Sequence, residues 1–393
     1  MEILLNVNRL VNQPQAEVRQ KDAIISAMES FISTFASPQS NMGSEYEQDD
    51  MRPLLTFIRL STLPVEVEVL TAKCLKILLR KQLNRTLIGK QGIISIIKTL
   101  VRQTENKTSA VAEIGNVVVN TCYNGDNVQL FLDEGGLPPL TKLLQSRDPV
   151  VQSSILAALQ GICYVPIGRQ ILLRHDPETI KIITYFLSSH DDYVRARASG
   201  TIHNISADSQ SIRILRETYC IPTIISLLHD PVIETCQSCA GLLQNMSREI
   251  RSKEMILESE AVTPLTELLF GSDIQCQVAA VGALFNLLSS VDDTDTETQT
   301  ETERERDRET ERNTEPVTIS LINHTTEKKV ALKELLSQGL MIGALQSCLF
   351  DVSPSQDATR NIDAVAAAQA ITNTKNEIQN LAKIRRTSRR TSK

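Results

Sequence analysis

The 393-residue chain contains no tryptophan, and aromatic residues make up only 4% of it. Strands draw heavily on aromatic and β-branched side chains, so this scarcity argues against a sheet fold. Glycine (15) and proline (14) are also few, which leaves long stretches free to be helical. No run approaches ~20 uninterrupted apolar residues, so no membrane span is expected. The opening residues, Met1 to Arg9, carry Glu2 where a secretory leader would be basic, and no leader is expected. A glycine-rich phosphate loop is lacking. Cys236 and Cys239 form a lone CxxC pair, with no second pair to complete a zinc site. His175, His190, His203, His229 and His324 are scattered, and no nucleophile or acid partner for them follows from spacing. These absences predict a protein with no enzymatic activity, no cofactor and no metal.

Charge is uneven. The net value is −6, but residues 292–316 hold 11 acids against 4 arginines, and residues 383–393 hold six basic residues and no acid. The rest of the chain is mildly acidic, which argues against a nucleic-acid footprint. The eight cysteines lie mostly in apolar helical patterns (Cys74, Cys122, Cys163, Cys276) and read as reduced packing residues. A cytoplasmic location is expected, with the nucleus as the alternative.

What is present is a repeat. Ser199-Gly-Thr-Ile-His-Asn-Ile-Ser206 returns as Ala240-Gly-Leu-Leu-Gln-Asn-Met-Ser247 and again as Val281-Gly-Ala-Leu-Phe-Asn-Leu-Leu288. An earlier copy is Ile114-Gly-Asn-Val-Val-Val-Asn-Thr121. The terminal asparagines are Asn120, Asn204, Asn245 and Asn286, spaced by 84, 41 and 41 residues. Two periods of 42 make 84, and the missing copy falls at Gly161. A second marker follows each asparagine by 16 residues, at Gly136, Cys220 and Ala261. An apolar helical pattern with an early proline comes next, as in Leu137-Pro-Pro-Leu-Thr-Lys-Leu-Leu144. A period near 40 residues with helical patterning marks a helical solenoid.

This unit pattern resembles the armadillo repeat family over roughly residues 51–350. The resemblance implies an all-α, right-handed α-α superhelix of about seven repeats. Each unit is expected to have a short first helix and two longer ones, the third lining a concave groove. The expected organisation is a helical cap and linker over 1–50, repeats over 51–291, an acidic low-complexity insertion over 292–326, a final repeat and cap over 327–382, and a basic tail over 383–393. In the cap, Val18, Ile24, Ile25, Met28, Phe31, Ile32 and Phe35 form a helical apolar stripe. Asp148-Pro149 and Asp230-Pro231 each read as the head of a long helix.

The family resemblance implies a protein or extended-peptide partner in the groove. A row of Asn120, Asn204, Asn245 and Asn286 would offer donors and acceptors to a peptide backbone. The plainer alternative is that each asparagine bonds a neighbouring carbonyl and sets helix packing. Related nuclear import adaptors carry a tryptophan four residues before each asparagine. The matching positions here are Asn116, Ala157, Gly200, Gly241 and Gly282, so cation-stacking slots are missing and the groove reads as more open. Tyr123, Tyr164 and Arg248, three residues beyond the asparagine positions, and His203 are candidate contacts. Ser388 and Ser392 follow Arg-Arg-Thr and resemble sites of basophilic kinases. The function expected is a non-enzymatic scaffold or adaptor. The alternatives are a regulator of small GTPases cradled in the groove or an import-type adaptor. The oligomeric state is not legible.

The acidic insertion has no apolar residue between Asp292 and Arg312 to bury. Deleting residues 292–316 should therefore leave the thermal midpoint nearly where it was. A large loss of stability in a melting curve would show that the segment is structural.

Overall fold

The computed structural model describes residues 18–37, 54–55, 64–102, 108–269 and 271–288. The proposed linker, acidic insertion, final repeat and basic tail, with Ser388 and Ser392, lie outside the described residues, apart from Ser37. Among the described residues every regular element is a helix. The chain divides into two compact units, Met1–Cys220 and Ile221–Lys393.

In the first unit, α1 (Val18–Phe35) precedes α2 (Val65–Leu78). Three three-helix repeats follow. They are α3 (Gln82–Leu87), α4 (Gly89–Arg102) and α5 (Thr108–Thr121); α6 (Gly125–Asp133), α7 (Leu137–Lys142) and α8 (Pro149–Tyr164); and α9 (Pro166–His175), α10 (Pro177–Tyr185) and α11 (Asp192–Ile205). A further first helix, α12 (Ser209–Glu217), closes the unit. In the second unit, α13 (Ile221–Ser226) and α14 (Ile233–Met246) are followed by α15 (Ile250–Glu258), α16 (Val262–Leu268) and α17 (Ile274–Leu288). Repeats thus begin at the helix after each third helix, whereas the sequence markers at Gly136, Cys220 and Ala261 fall at the second helix.

The third helices, α2, α5, α8 and α11 in the first unit and α14 and α17 in the second, pack side by side in chain order. Their inner faces bury Leu75, Val118, Leu159 and Ile202 in the first unit and Leu243 and Leu284 in the second. Burial of each such side chain contributes about 1.5–3 kcal/mol. The apolar stripe of α1 buries Ile24, Met28 and Phe31, and α1 packs on α2. The Arg80 guanidinium donates to the carbonyls of Phe35 and Ala36, both at 3.0 Å, and so closes the end of α1.

The middle helix of most repeats is shorter than the family resemblance implied. α7, α10 and α13 run 6, 9 and 6 residues and then tighten into a 3-10 turn of 3 residues. The tighter winding turns Leu144, Leu187 and Leu228 into the core before the chain reverses. The corner before the second helix often needs a left-handed residue: Gly135 has φ 77°, Tyr219 53° and Glu260 59°. Only the first is relieved of a Cβ penalty.

The two Asp-Pro pairs differ. Asp148 accepts from the Val150 amide and caps α8, with Pro149 as its first residue. Asp230 accepts from the Val232 amide at 2.9 Å, but α14 starts only at Ile233. Asp230 directly follows the 3-10 turn, so the Asp-Pro pair fills the linker between the two helices and does not head the second.

A second periodic device lies where each third helix hands over to the next first helix. Asn84 donates through Nδ2 to the Leu78 carbonyl (2.8 Å), Asn127 to that of Thr121 (3.1 Å), and Ser211 through Oγ to that of Ile205 (2.7 Å). Each reaches back six residues to the last carbonyl of the preceding helix, a group with no partner inside its own helix. At the equivalent place in α9 stands Gly168, where an added Cβ would lie 2.0 Å from the Ile162 carbonyl oxygen. Here the backbone itself closes the corner.

Gly168→Ala should lower stability by about 1–3 kcal/mol or more. Gly161, in the last turn of α8 with nothing within 4 Å of a Cβ position, is the contrasting site. Gly161→Ala should raise stability by about 0.5–1 kcal/mol. Urea denaturation of both variants checks the pair, and an unaffected Gly168→Ala would contradict the close approach.

Candidate functional site

The face formed by the third helices is built from one recurring contact. Asn120 Nδ2 on α5 donates to the Lys76 carbonyl on α2 at 2.7 Å. Asn204 Nδ2 on α11 donates to the Gln160 carbonyl on α8 at 2.8 Å. In the second unit, Asn286 Nδ2 on α17 donates to the Gln244 carbonyl on α14 at 3.0 Å and to Ser247 Oγ at 3.1 Å. Asn245 holds the same place on α14 and is half-buried. The α5–α8 step has Gly161 where the amide would be, so that step lacks the bridge.

Two of the three acceptors, the Lys76 and Gln244 carbonyls, are freed at helix ends, whereas the Gln160 carbonyl lies inside α8. Arg80 N donates to the Ile77 carbonyl, not to that of Lys76 four residues back. Arg248 N likewise donates to the Asn245 carbonyl and passes over Gln244. At these two ends the asparagine amide of the next repeat supplies the missing donor. This uses Nδ2 for packing. The Oδ1 atoms of Asn120, Asn204 and Asn286 make no hydrogen bond with the described residues, and all three side chains are half-buried. The recurring feature is therefore a half-buried acceptor without a partner among the described residues, not the donor–acceptor pair read from the sequence.

The glycine positions one turn earlier are not open. A Cβ at Gly200 would meet Gln160 Nε2 at 2.3 Å, and one at Gly282 would meet Gln244 Nε2 at 2.2 Å. The residue whose carbonyl receives the asparagine also lays its own side chain across the neighbouring glycine. Gln160 Oε1 accepts from Arg197 Nη1 at 3.3 Å on the same helix face. In the first step the corresponding residue is Lys76, whose Nζ meets Glu113 Oε2 at 2.6 Å. At Gly200 and Gly282 the expected open slots are filled because a side chain from the preceding repeat, some 40 residues away, occupies them.

Tyr123 and Tyr164 are 68% and 70% exposed, at the ends of α5 and α8. The Arg85 guanidinium carbon lies 5.5 Å from the Tyr123 ring centroid, a cation–π distance. Arg248 is exposed just beyond α14. His203 is half-buried one residue before Asn204, and burial lowers its pKa below the ordinary imidazole value. Burial pushes the Cys74, Cys122 and Cys163 thiols up to about 12, so they stay protonated. The seven described cysteines are free. No single helix among the described residues is long and apolar enough to cross a membrane.

These stacked three-helix units define an armadillo-type α-solenoid fold. The model of the armadillo/beta-catenin-like repeat matches residues 126–164 and 251–289, and each match covers one first-to-third helix set. These two segments are armadillo-type repeats. The chain is 21% identical to catenin beta of Tripneustes gratilla over 276 residues, 61% of this chain and 33% of that protein. It spans about a third or less of the length of the curated relatives it matches. Among solved structures, a designed armadillo repeat protein superposes with a TM-score of 0.54 at 20% identity, over 60% of this chain and 98% of that one. Another, from computationally designed armadillo repeat proteins for modular peptide recognition, gives 0.52 at 20% identity, over 59% and 98%.

The lowered pKa of His203 makes a signed prediction. Its unfolded form takes up a proton in the ordinary range while the folded form does not. Stability is therefore full above that range and falls as pH drops through it. Between about pH 7.5 and 5.5 the wild type should lose more stability than His203→Gln, as measured by urea midpoints. Equal losses would mean that His203 is not held neutral.

Proposed function

We propose that the chain is a non-enzymatic protein-binding scaffold that takes an extended partner segment along its third-helix faces. The observation that carries this reading is the recurrence, at three of the third-helix steps, of a half-buried Asn whose Oδ1 has no hydrogen-bond partner among the described residues and whose Nδ2 is already anchored to the preceding helix. An anchored amide keeps its carbonyl aimed outward at little further entropic cost, and an extended peptide backbone offers N–H donors to meet it. A solved neighbour of the same fold was designed for modular peptide recognition, which adds support. In this reading Tyr123, Tyr164, Arg248 and His203 contact the partner beside the asparagines. The floor offers glutamine amides at Gln160 and Gln244 in place of aromatic faces, so basic side chains are not the preferred cargo. A cytoplasmic or nuclear setting is part of the same proposal.

The test uses peptides selected from a random library against the full chain. Asn120→Ala with Asn204→Ala, and separately Asn245→Ala with Asn286→Ala, should each weaken the peptides bound by that unit about tenfold. Helix content by circular dichroism should stay unchanged. Selected peptides that bind both double variants as tightly as the wild type would remove the asparagine row from the binding face.

A further inference from the structure

Cys236 and Cys276 stand in the first turns of α14 and α17, neighbouring third helices of the second unit. Both are buried, at 3% exposure. Their sulfurs are 3.3 Å apart, with the Cys276 thiol donating to the Cys236 sulfur. The Cys236 thiol donates in turn to the Leu228 carbonyl at 3.1 Å. A disulfide needs a separation of about 2.05 Å, so each sulfur has only about 0.6 Å to travel. The pair lies close to solvent despite its burial. Ile233 and Glu234 before Cys236, and Ile274 and Gln275 before Cys276, are all exposed. Fraying of a first helical turn is a low-energy opening that admits a small reagent.

We propose that Cys236 and Cys276 form a reversible redox cross-link between α14 and α17, closed by a low-molecular-weight disulfide such as oxidised glutathione. The thiolate of one cysteine attacks a glutathione sulfur, the S–S bond of the reagent breaks, and one reduced glutathione leaves. The thiolate of the other cysteine then attacks the protein sulfur of the mixed disulfide, and the second glutathione leaves. The two protein thiols lose two electrons and two protons, and the reagent takes both. Burial, reinforced by the nearby Asp273 and Asp230 carboxylates, raises the pKa of Cys236. Burial, the contact with Cys236 and the Asp273 carboxylate raise that of Cys276. Thiolate is scarce at neutral pH, so exchange is slow and its outcome is set by equilibrium. Proximity then favours the internal disulfide over two mixed ones.

The location gives the cross-link a purpose. The Asn286–Gln244 bridge ties α17 to α14 near their C-terminal ends. The cysteine pair sits at the opposite ends of the same two helices. Oxidation would add a covalent tie and fix the spacing of this step at both ends. This inference does not depend on the binding proposal.

The experiment equilibrates the full chain in glutathione buffers of rising oxidised fraction and maps its peptides by mass spectrometry. The expected first product is a linked Cys236–Cys276 peptide pair, in a chain lighter by two hydrogens and restored by dithiothreitol. The melting midpoint of the oxidised form should rise by about 5 °C. Cys276→Ser should show no internal link at Cys236. Both thiols free across all buffers, a separate glutathione on each, or a Cys236–Cys239 link would overturn the proposal. The wild-type map decides even if the serine variant folds poorly.

Discussion

The structure depends on what happens to the carbonyls at the end of each third helix. An α-helix ends with four carbonyls that have no amide of their own to accept, and burying them unpaired costs free energy. Two side-chain systems meet that need here. One comes from the next first helix, where Asn84, Asn127 and Ser211 reach back to Leu78, Thr121 and Ile205. The other comes from the next third helix, where Asn120 and Asn286 reach Lys76 and Gln244. The first fixes the turn between repeats. The second fixes how far apart consecutive third helices lie, and with it the face they present.

That dual use constrains the proposed binding face. A residue that packs the fold with one end of its amide has only the other end left for a partner. The lining therefore consists of acceptors from asparagine and amides from glutamine, flanked in the first unit by exposed tyrosines. Gly200 and Gly282 do not widen this lining. They allow Gln160 and Gln244 to lie flat against the next helix, close to the carbonyl-to-amide bond each residue already makes. Any side chain at those glycines would displace the arm.

Much of the fold was legible because the asparagine and its glycine recur as the same residue types at the same spacing. The corner system escaped notice for the opposite reason. Asn84, Asn127, Gly168 and Ser211 stand 41 to 43 residues apart, but the role is filled by an amide, a hydroxyl or bare backbone, so no single letter repeats. A search for small polar residues or glycine four to six positions after each third helix would have found it. The filled glycine slots were also invisible, because the filling side chain belongs to a helix one repeat earlier. Asp230-Pro231 looked like Asp148-Pro149, and only the position of the preceding 3-10 turn distinguishes a linker from a cap. Of the contact candidates, the exposure of Tyr123 and Tyr164 followed from their place at a helix end, whereas the partial burial of His203 depends on packing from outside its own helix.

The most direct measurement of this account is the stability of Asn204→Asp by equilibrium urea unfolding at neutral pH. The substitution keeps the size and shape of the side chain but replaces the Nδ2 donor with a charged acceptor aimed at the Gln160 carbonyl, 2.8 Å away in the wild type. The account predicts a loss of about 1–3 kcal/mol, with the helical fold retained. Stability equal to that of the wild type would mean that the bridge between third helices does not hold them together.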